Sequence, residues 1–142
     1  MEIYEKLDKA REAVRNTPHA KDGKGGGGKY KYFKPETVEL IVAEACKDLQ
    51  LLPVCNLRRN EFGLYQEMVL VNLEDTKDTI VFTLATELGT VMSANATQNM
   101  GSTDTYSERY IKMKVFQIKD NNLDPDGQQG QTTQAVDDDL DF

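Results

Sequence analysis

The sequence contains one histidine, two cysteines and no apolar run near the roughly 20 residues that a membrane-crossing helix needs. Cys46 and Cys55 stand apart from each other and from His19, so no CxxC or Cys/His set is present to hold zinc. Glycines 25–28 lack both the GK[ST] ending and the preceding strand of a phosphate-binding loop. There is no GxSxG nucleophile motif. Acid pairs such as Glu74 and Asp75 fall in a polar turn, where carboxylates are normally solvated. These absences point away from a catalyst, so we expect no enzyme activity, no metal and no cofactor. Residues 1–15 are charged throughout, unlike a secretory signal, and the cysteines are expected to be free thiols in a cytoplasmic protein.

Charge is unevenly distributed. The chain has 142 residues with 17 Lys and Arg against 24 Asp and Glu. Residues 120–142 hold seven of the acids and no base, so the remaining 17 acids balance the 17 bases of residues 1–119. The tail therefore carries the whole formal charge of -7, and an acidic average does not argue against a polyanionic partner for the body.

Hydrophobic spacing predicts an α+β domain over residues 1–119. Ile3, Leu7, Ala10 and Val14 share one face of a helix over residues 2–15. Residues 18–28 (PHAKDGKGGGG) read as a flexible loop, since consecutive glycines resist regular structure. KYKYF at 29–33 alternates basic and aromatic residues, as a short strand with tyrosines on one face and lysines on the other would. Pro35 suits a first helical turn, and Val38, Leu40, Ile41, Val42, Ala45 and Leu49 extend a second helix to about residue 49. Three strands are predicted at about 51–57, 64–73 and 79–88, joined by short polar turns and hence antiparallel. Residues 89–101 read as a loop, and Ser102 or Thr103 as the cap of a third helix reaching about Gln117. A curved antiparallel sheet, a meander plus a short strand, with helices on one face satisfies this order. Residues 120–142 are expected to be a disordered acidic tail ending in DDDLDF.

Several features could hold a polyanion. Residues 15–34 contain six bases, among them Lys21, Lys24, Lys29 and Lys31, against the single acid Asp22. Lysines beside glycines can follow a phosphate backbone, and Tyr30, Tyr32 and Phe33 can stack on unpaired bases. Arg109 and Lys112 on the third helix, and Arg58 and Arg59 in a strand turn, could also meet phosphates. The same residues suit a blander role: lysines and arginines on solvated faces, tyrosines in the core. Tyr106 and Tyr110 lie four apart on the third helix and stay open between core and nucleic-acid contact. Asp137, Asp138, Asp139, Leu140, Asp141 and Phe142 place a terminal ring and carboxylate behind an acidic run, suited to a basic pocket on a partner.

The stretch from Gly101 and Ser102 through Thr105 and Tyr106 to Arg109 and Tyr110 resembles the signature helix of the phage essential recombination function (Erf) family, roughly GS-x-x-TY-x-x-RY. Ile3 to Leu7 leading a helix, the lysine- and glycine-rich loop and Tyr30-Lys31-Tyr32 resemble that family in the same order, so the similarity spans most of residues 1–120. Ser107, Glu108 and Gln117 depart from its usual residues. The resemblance implies an ATP- and metal-independent protein that binds single-stranded DNA in a positive groove, forms rings or other homo-oligomers, and anneals strands in phage recombination, repair or replication within a bacterial host. The C-terminal tip is similar to that of bacterial single-stranded DNA-binding proteins, with Leu140 and Asp141 in place of the usual Ile-Pro pair, which implies docking of a host replication or repair protein. A protein that coats single strands without annealing, and an adaptor or inhibitor acting through its tail, are the alternatives; a nuclease would need a metal–carboxylate set that the sequence does not display.

Overall fold

The structure is a computed structural model that describes residues 1–90 and 93–120. Its elements run α1 (Ile3–Asn16), β1 (Gly23–Gly25), β2 (Tyr30–Tyr32), α2 (Pro35–Cys46), β3 (Leu51–Asn60), β4 (Gly63–Asn72), β5 (Thr79–Ala85) and α3 (Ala96–Phe116). The fold is α+β, as expected. β3, β4 and β5 form an antiparallel meander, and β1 and β2 form a separate two-stranded hairpin.

The meander is amphipathic at period two. Gln66, Met68, Leu70 and Asn72 of β4 are buried, while the residues between them are half-buried. Met68 stands opposite Cys55 and Phe82, and Leu70 opposite Pro53 and Ile80, so these side chains share the inner face. α3 packs across all three strands and against α2, and α1 packs on α2 and β3. The core between sheet and helices is built from Ile3, Leu7 and Ala10 of α1, Val38, Ile41 and Val42 of α2, and Ile111, Val115 and Phe116 of α3. The other face of the sheet has no cover among the described residues. Leu52, Val54 and Val81 are exposed there, opposite half-buried Val71 and Val69.

α1 is fastened from a distance. Glu2, at its N-cap, makes no side-chain cap. Asp78, in the β4–β5 turn, accepts from the Ile3 N–H at 2.9 Å and so satisfies a first-turn donor with a negative charge. Buried Asn72 donates to the same carboxylate (3.0 Å) and to the Met1 carbonyl (3.1 Å). Lys6 is only 1% exposed, although its neighbours suggest a solvated face. Its ammonium meets Glu74 at 2.6 Å and the Gln50 carbonyl at 3.4 Å. The Lys6 hydrogen bond, then its charge, holds the Glu74 carboxyl below its usual range.

Five expectations are corrected. The glycine-rich loop contains a hairpin: β1 pairs with β2, and a 3-10 turn at Gly26–Gly28 joins them. Glycines are what this hairpin requires, because a Cβ at Gly23 or Gly25 would fall 2.5 or 2.3 Å from the rings of Tyr32 and Tyr30. The short strand thus pairs outside the meander. α3 begins at Ala96, where Asn95 and Gln98 form a reciprocal capping box, rather than at Ser102 or Thr103. Its first turns are mostly polar, and Ala96 and Met100 there are exposed, so no buried apolar period marks them. Leu40 is 62% exposed on α2 and contributes little to the core. β5 ends at Ala85 rather than near residue 88.

Both thiols are free. Burial pushes Cys46 up to about 12 and, with Glu108 adding to it, Cys55 up to about 11. Neither is a thiolate nucleophile near neutral pH. No helix among the described residues is long and apolar enough to cross a membrane. The distal cap on α1 gives a stability test. Asp78→Ala should lower the free energy of urea unfolding by about 1–2 kcal/mol, the usual cost of a lost N-cap acceptor, and Asp78→Asn by less.

Candidate nucleic-acid interface

The β1–β2 hairpin separates its rings from its charges. Gly23 pairs with Tyr32 and Gly25 with Tyr30, so both tyrosine rings lie over backbone on one face. Lys24 pairs directly with Lys31 on the other face. Both lysines are exposed, and no ion pair engages either among the described residues. Like charges directly opposite on an antiparallel pair are destabilising. Lys29 adds a third exposed cation at the end of the glycine turn. A polyanion laid along this hairpin would relieve that repulsion.

Asp22, the only acid in the basic stretch, is committed elsewhere. It accepts from the Lys34 N–H at 2.9 Å and from the Thr37 hydroxyl at 2.7 Å, tying the base of the hairpin to the start of α2. These two bonds, the backbone one first, hold its carboxyl below the ordinary carboxylate range. A depressed carboxylate favours the folded joint above its unfolded pKa, and that contribution is lost as pH falls through the folded value.

Arg109 of α3 clamps the other side. It is 4% exposed. Its Nε donates to the Phe33 carbonyl at 2.6 Å, and Nη2 meets Asp120 Oδ2 at 2.5 Å. The second Asp120 oxygen accepts from the Phe33 N–H at 2.9 Å. Both backbone groups of Phe33 are thereby held by one ion pair. The guanidinium also lies 5.4 Å from the centroid of the Tyr32 ring and 5.0 Å from that of Tyr110, within cation–π range. Lys21 Nζ sits 5.9 Å from the centroid of the Phe33 ring. Burial lowers its pKa, and the nearby charge of Asp120 opposes that shift. Asp120, assigned by composition to the tail, is in this structure an anchor of the body.

The candidate residues therefore divide. Lys24, Lys29, Tyr30, Lys31 and Tyr32 come together on the hairpin, with Lys21 at its base. Arg109 and Lys112, read from the sequence as phosphate contacts, are turned inward: Arg109 holds Phe33 and Asp120, and Lys112 is buried with its ammonium 2.9 Å from Glu108. Arg58 lies on the outer face of the sheet, 3.9 Å from Glu67, and Arg59 is exposed at the end of β3. The two tyrosines left open also separate. Tyr110 is half-buried against Arg109, whereas Tyr106 is 52% exposed. The tip residues 137–142 lie outside the described residues.

A groove of about 630 Å3 runs between the hairpin, the start of α2 and α3. Tyr32 and Lys34 border it from the hairpin side, and Gln98, Ser102 and Tyr106 from α3. Sequence reasoning counted Lys34 in the basic stretch without singling it out, and missed Gln98 and Ser102. The spacing of Gln98, Ser102 and Tyr106 at four and four is a usable signal, but only once the helix is known to start before them. A smaller cleft of about 230 Å3 between α2 and α3 is lined by Glu36, Glu39, Asp104 and Glu108 beside Arg109 and Lys112. Those carboxylates are poorly suited to phosphate and bound the basic surface on that side.

The clamp makes a local prediction. Asp120→Ala should remove hydrogen-exchange protection at Phe33 and the hairpin amides, while amides of β4 keep theirs. Overall stability should fall by about 1–3 kcal/mol, since a buried guanidinium loses a partner.

Comparison with known proteins adds one match. No curated protein and no solved structure matches the chain. The family model described as the ERF superfamily matches residues 3–138, from the first residue of α1 past the end of α3. Over nearly its whole length, then, the chain belongs to the ERF superfamily.

Proposed function

We propose that this chain binds single-stranded DNA through the hairpin and α3, and promotes pairing of complementary strands without ATP in phage-type recombination. The observation that carries the reading is the facing pair Lys24 and Lys31, unpaired with acid among the described residues, on a hairpin whose opposite face bears Tyr30 and Tyr32. Cations spaced along the hairpin neutralise phosphates without reading sequence, and tyrosine rings accept unpaired bases of any identity. A duplex offers no free base faces to such rings, so the surface favours single strands. Membership of the ERF superfamily fits this activity. The work is binding, not bond chemistry, and needs no metal or cofactor. It would take place inside a bacterial host, where the same protein could serve repair and replication.

Self-association completes the proposal. Pairing two strands over many bases requires several copies side by side. The uncovered outer face of the sheet, with Leu52, Val54 and Val81 exposed and Val69 and Val71 beside them, supports a homo-oligomer, because burial against another copy removes apolar area from water. The face lies opposite α3, so its use leaves the hairpin accessible. The tip Asp137–Phe142 would recruit a host replication or repair protein.

Replacing Lys24 and Lys31 together by Gln is the test. The variant should fold at least as stably as the native chain, because it loses a repulsive pair. Its affinity for a labelled oligonucleotide should fall, and the slope of log K against log salt should flatten by about 1.4, two phosphate contacts at about 0.7 each on a single strand. Annealing of complementary fluorescent strands should slow in parallel. Unchanged affinity and slope would remove the proposal.

A further inference from the structure

Resting on that reading, we infer that the groove between the hairpin and α3 takes one unstacked base of the bound strand, stacked on Tyr106, while Lys34 meets the adjoining phosphate. Three observations carry this. The groove, at about 630 Å3, has a tyrosine on each of two sides: Tyr32, steered by Arg109, and Tyr106, half of whose surface is open. A base offers two π-faces, and an aromatic wall contributes about 1–3 kcal/mol of stacking per base.

Next, the groove is polar without being basic throughout. Lys34 stands at one side, but Glu36 shares the lining, and its carboxylate repels phosphate. An uncharged group is therefore favoured within the groove and the anionic backbone at its rim. Ser102 and Thr105 line the same space, and no hydrogen bond among the described residues engages their hydroxyls. They can donate to or accept from the edge of a base.

Then there is Gly101, the sixth residue of a 21-residue helix. Glycine inside a helix is destabilising relative to alanine. Packing does not demand it, since a Cβ at that position meets nothing within 4 Å. Its backbone is in the groove lining, so the missing side chain keeps the floor open. A planar group approaching α3 between Tyr32 and Tyr106 uses that space.

The test compares two ligands on the full chain: a labelled single strand, and a strand of equal length with abasic sites throughout. Both carry the same phosphates. The normal strand should bind at least about fivefold more tightly, the lower end of one stacked base. Gly101→Leu, which fills the floor, and Tyr106→Ala, which removes an exposed wall, should each weaken the normal strand at least about fivefold and leave the abasic strand within twofold. Gly101→Ala should bind as the native chain does and unfold at higher temperature. The exposed Tyr106 keeps the test sound should Gly101→Leu fail to fold. Equal binding of the two ligands by the native chain, or variants that weaken both ligands alike, would overturn the base site while leaving strand binding intact. Binding of neither ligand would overturn strand binding itself, and the base site with it.

Discussion

Arg109 is a cation taken out of water and held by a carboxylate, a carbonyl and the faces of two aromatic rings. The position of the hairpin depends on that arrangement. A short two-stranded hairpin rich in glycine has little stability alone. Here it is pinned at its base by Phe33, whose N–H and carbonyl are both engaged by the Arg109–Asp120 pair, and by Asp22 at the start of α2. Lysine could not replace Arg109. A guanidinium donates in two directions from one plane and lays that plane near rings, whereas an ammonium is a compact point charge with no such plane. With the clamp closed, Tyr32 faces the groove and the basic residues project away from α3.

The clamp also explains a division of labour among charges. Arg109 and Lys112 of α3 are spent on the interior, while Lys24, Lys29 and Lys31 stand exposed on the hairpin. Carboxylates of α2 and α3 gather in the neighbouring cleft and limit the basic surface to one side of the molecule. The exposed apolar strip of the sheet lies on the opposite face. The proposed strand binding and the proposed self-association therefore need not compete for area.

Much of the scaffold was legible because its causes are local. Ile3, Leu7 and Ala10 mark α1 by their spacing, and alternation around Met68 and Leu70 marks the meander. The pairing of tyrosines on one hairpin face and lysines on the other followed from period two alone. What escaped reading has distant causes. Glycine predicts looseness, yet Gly23 and Gly25 are set by the rings of Tyr32 and Tyr30, farther along the chain. Burial of Lys6 depends on Glu74, and that of Arg109 on Phe33 and Asp120, none of which is recognisable as a partner from spacing. Tyr106 and Tyr110 carry the same side chain four residues apart, and only the packing around Arg109 separates their roles.

The chain carries exposed aromatics away from the hairpin as well, which makes contact mapping decisive. Tyr4 is 69% exposed on α1 and Phe62 is 90% exposed in the β3–β4 turn. Photo-crosslinking an oligonucleotide substituted with iodouracil, followed by peptide mass spectrometry, locates the strand directly. The account expects adducts at Tyr30, Tyr32 or Tyr106. Adducts confined to Tyr4 or Phe62, with none on the hairpin or α3, would contradict it.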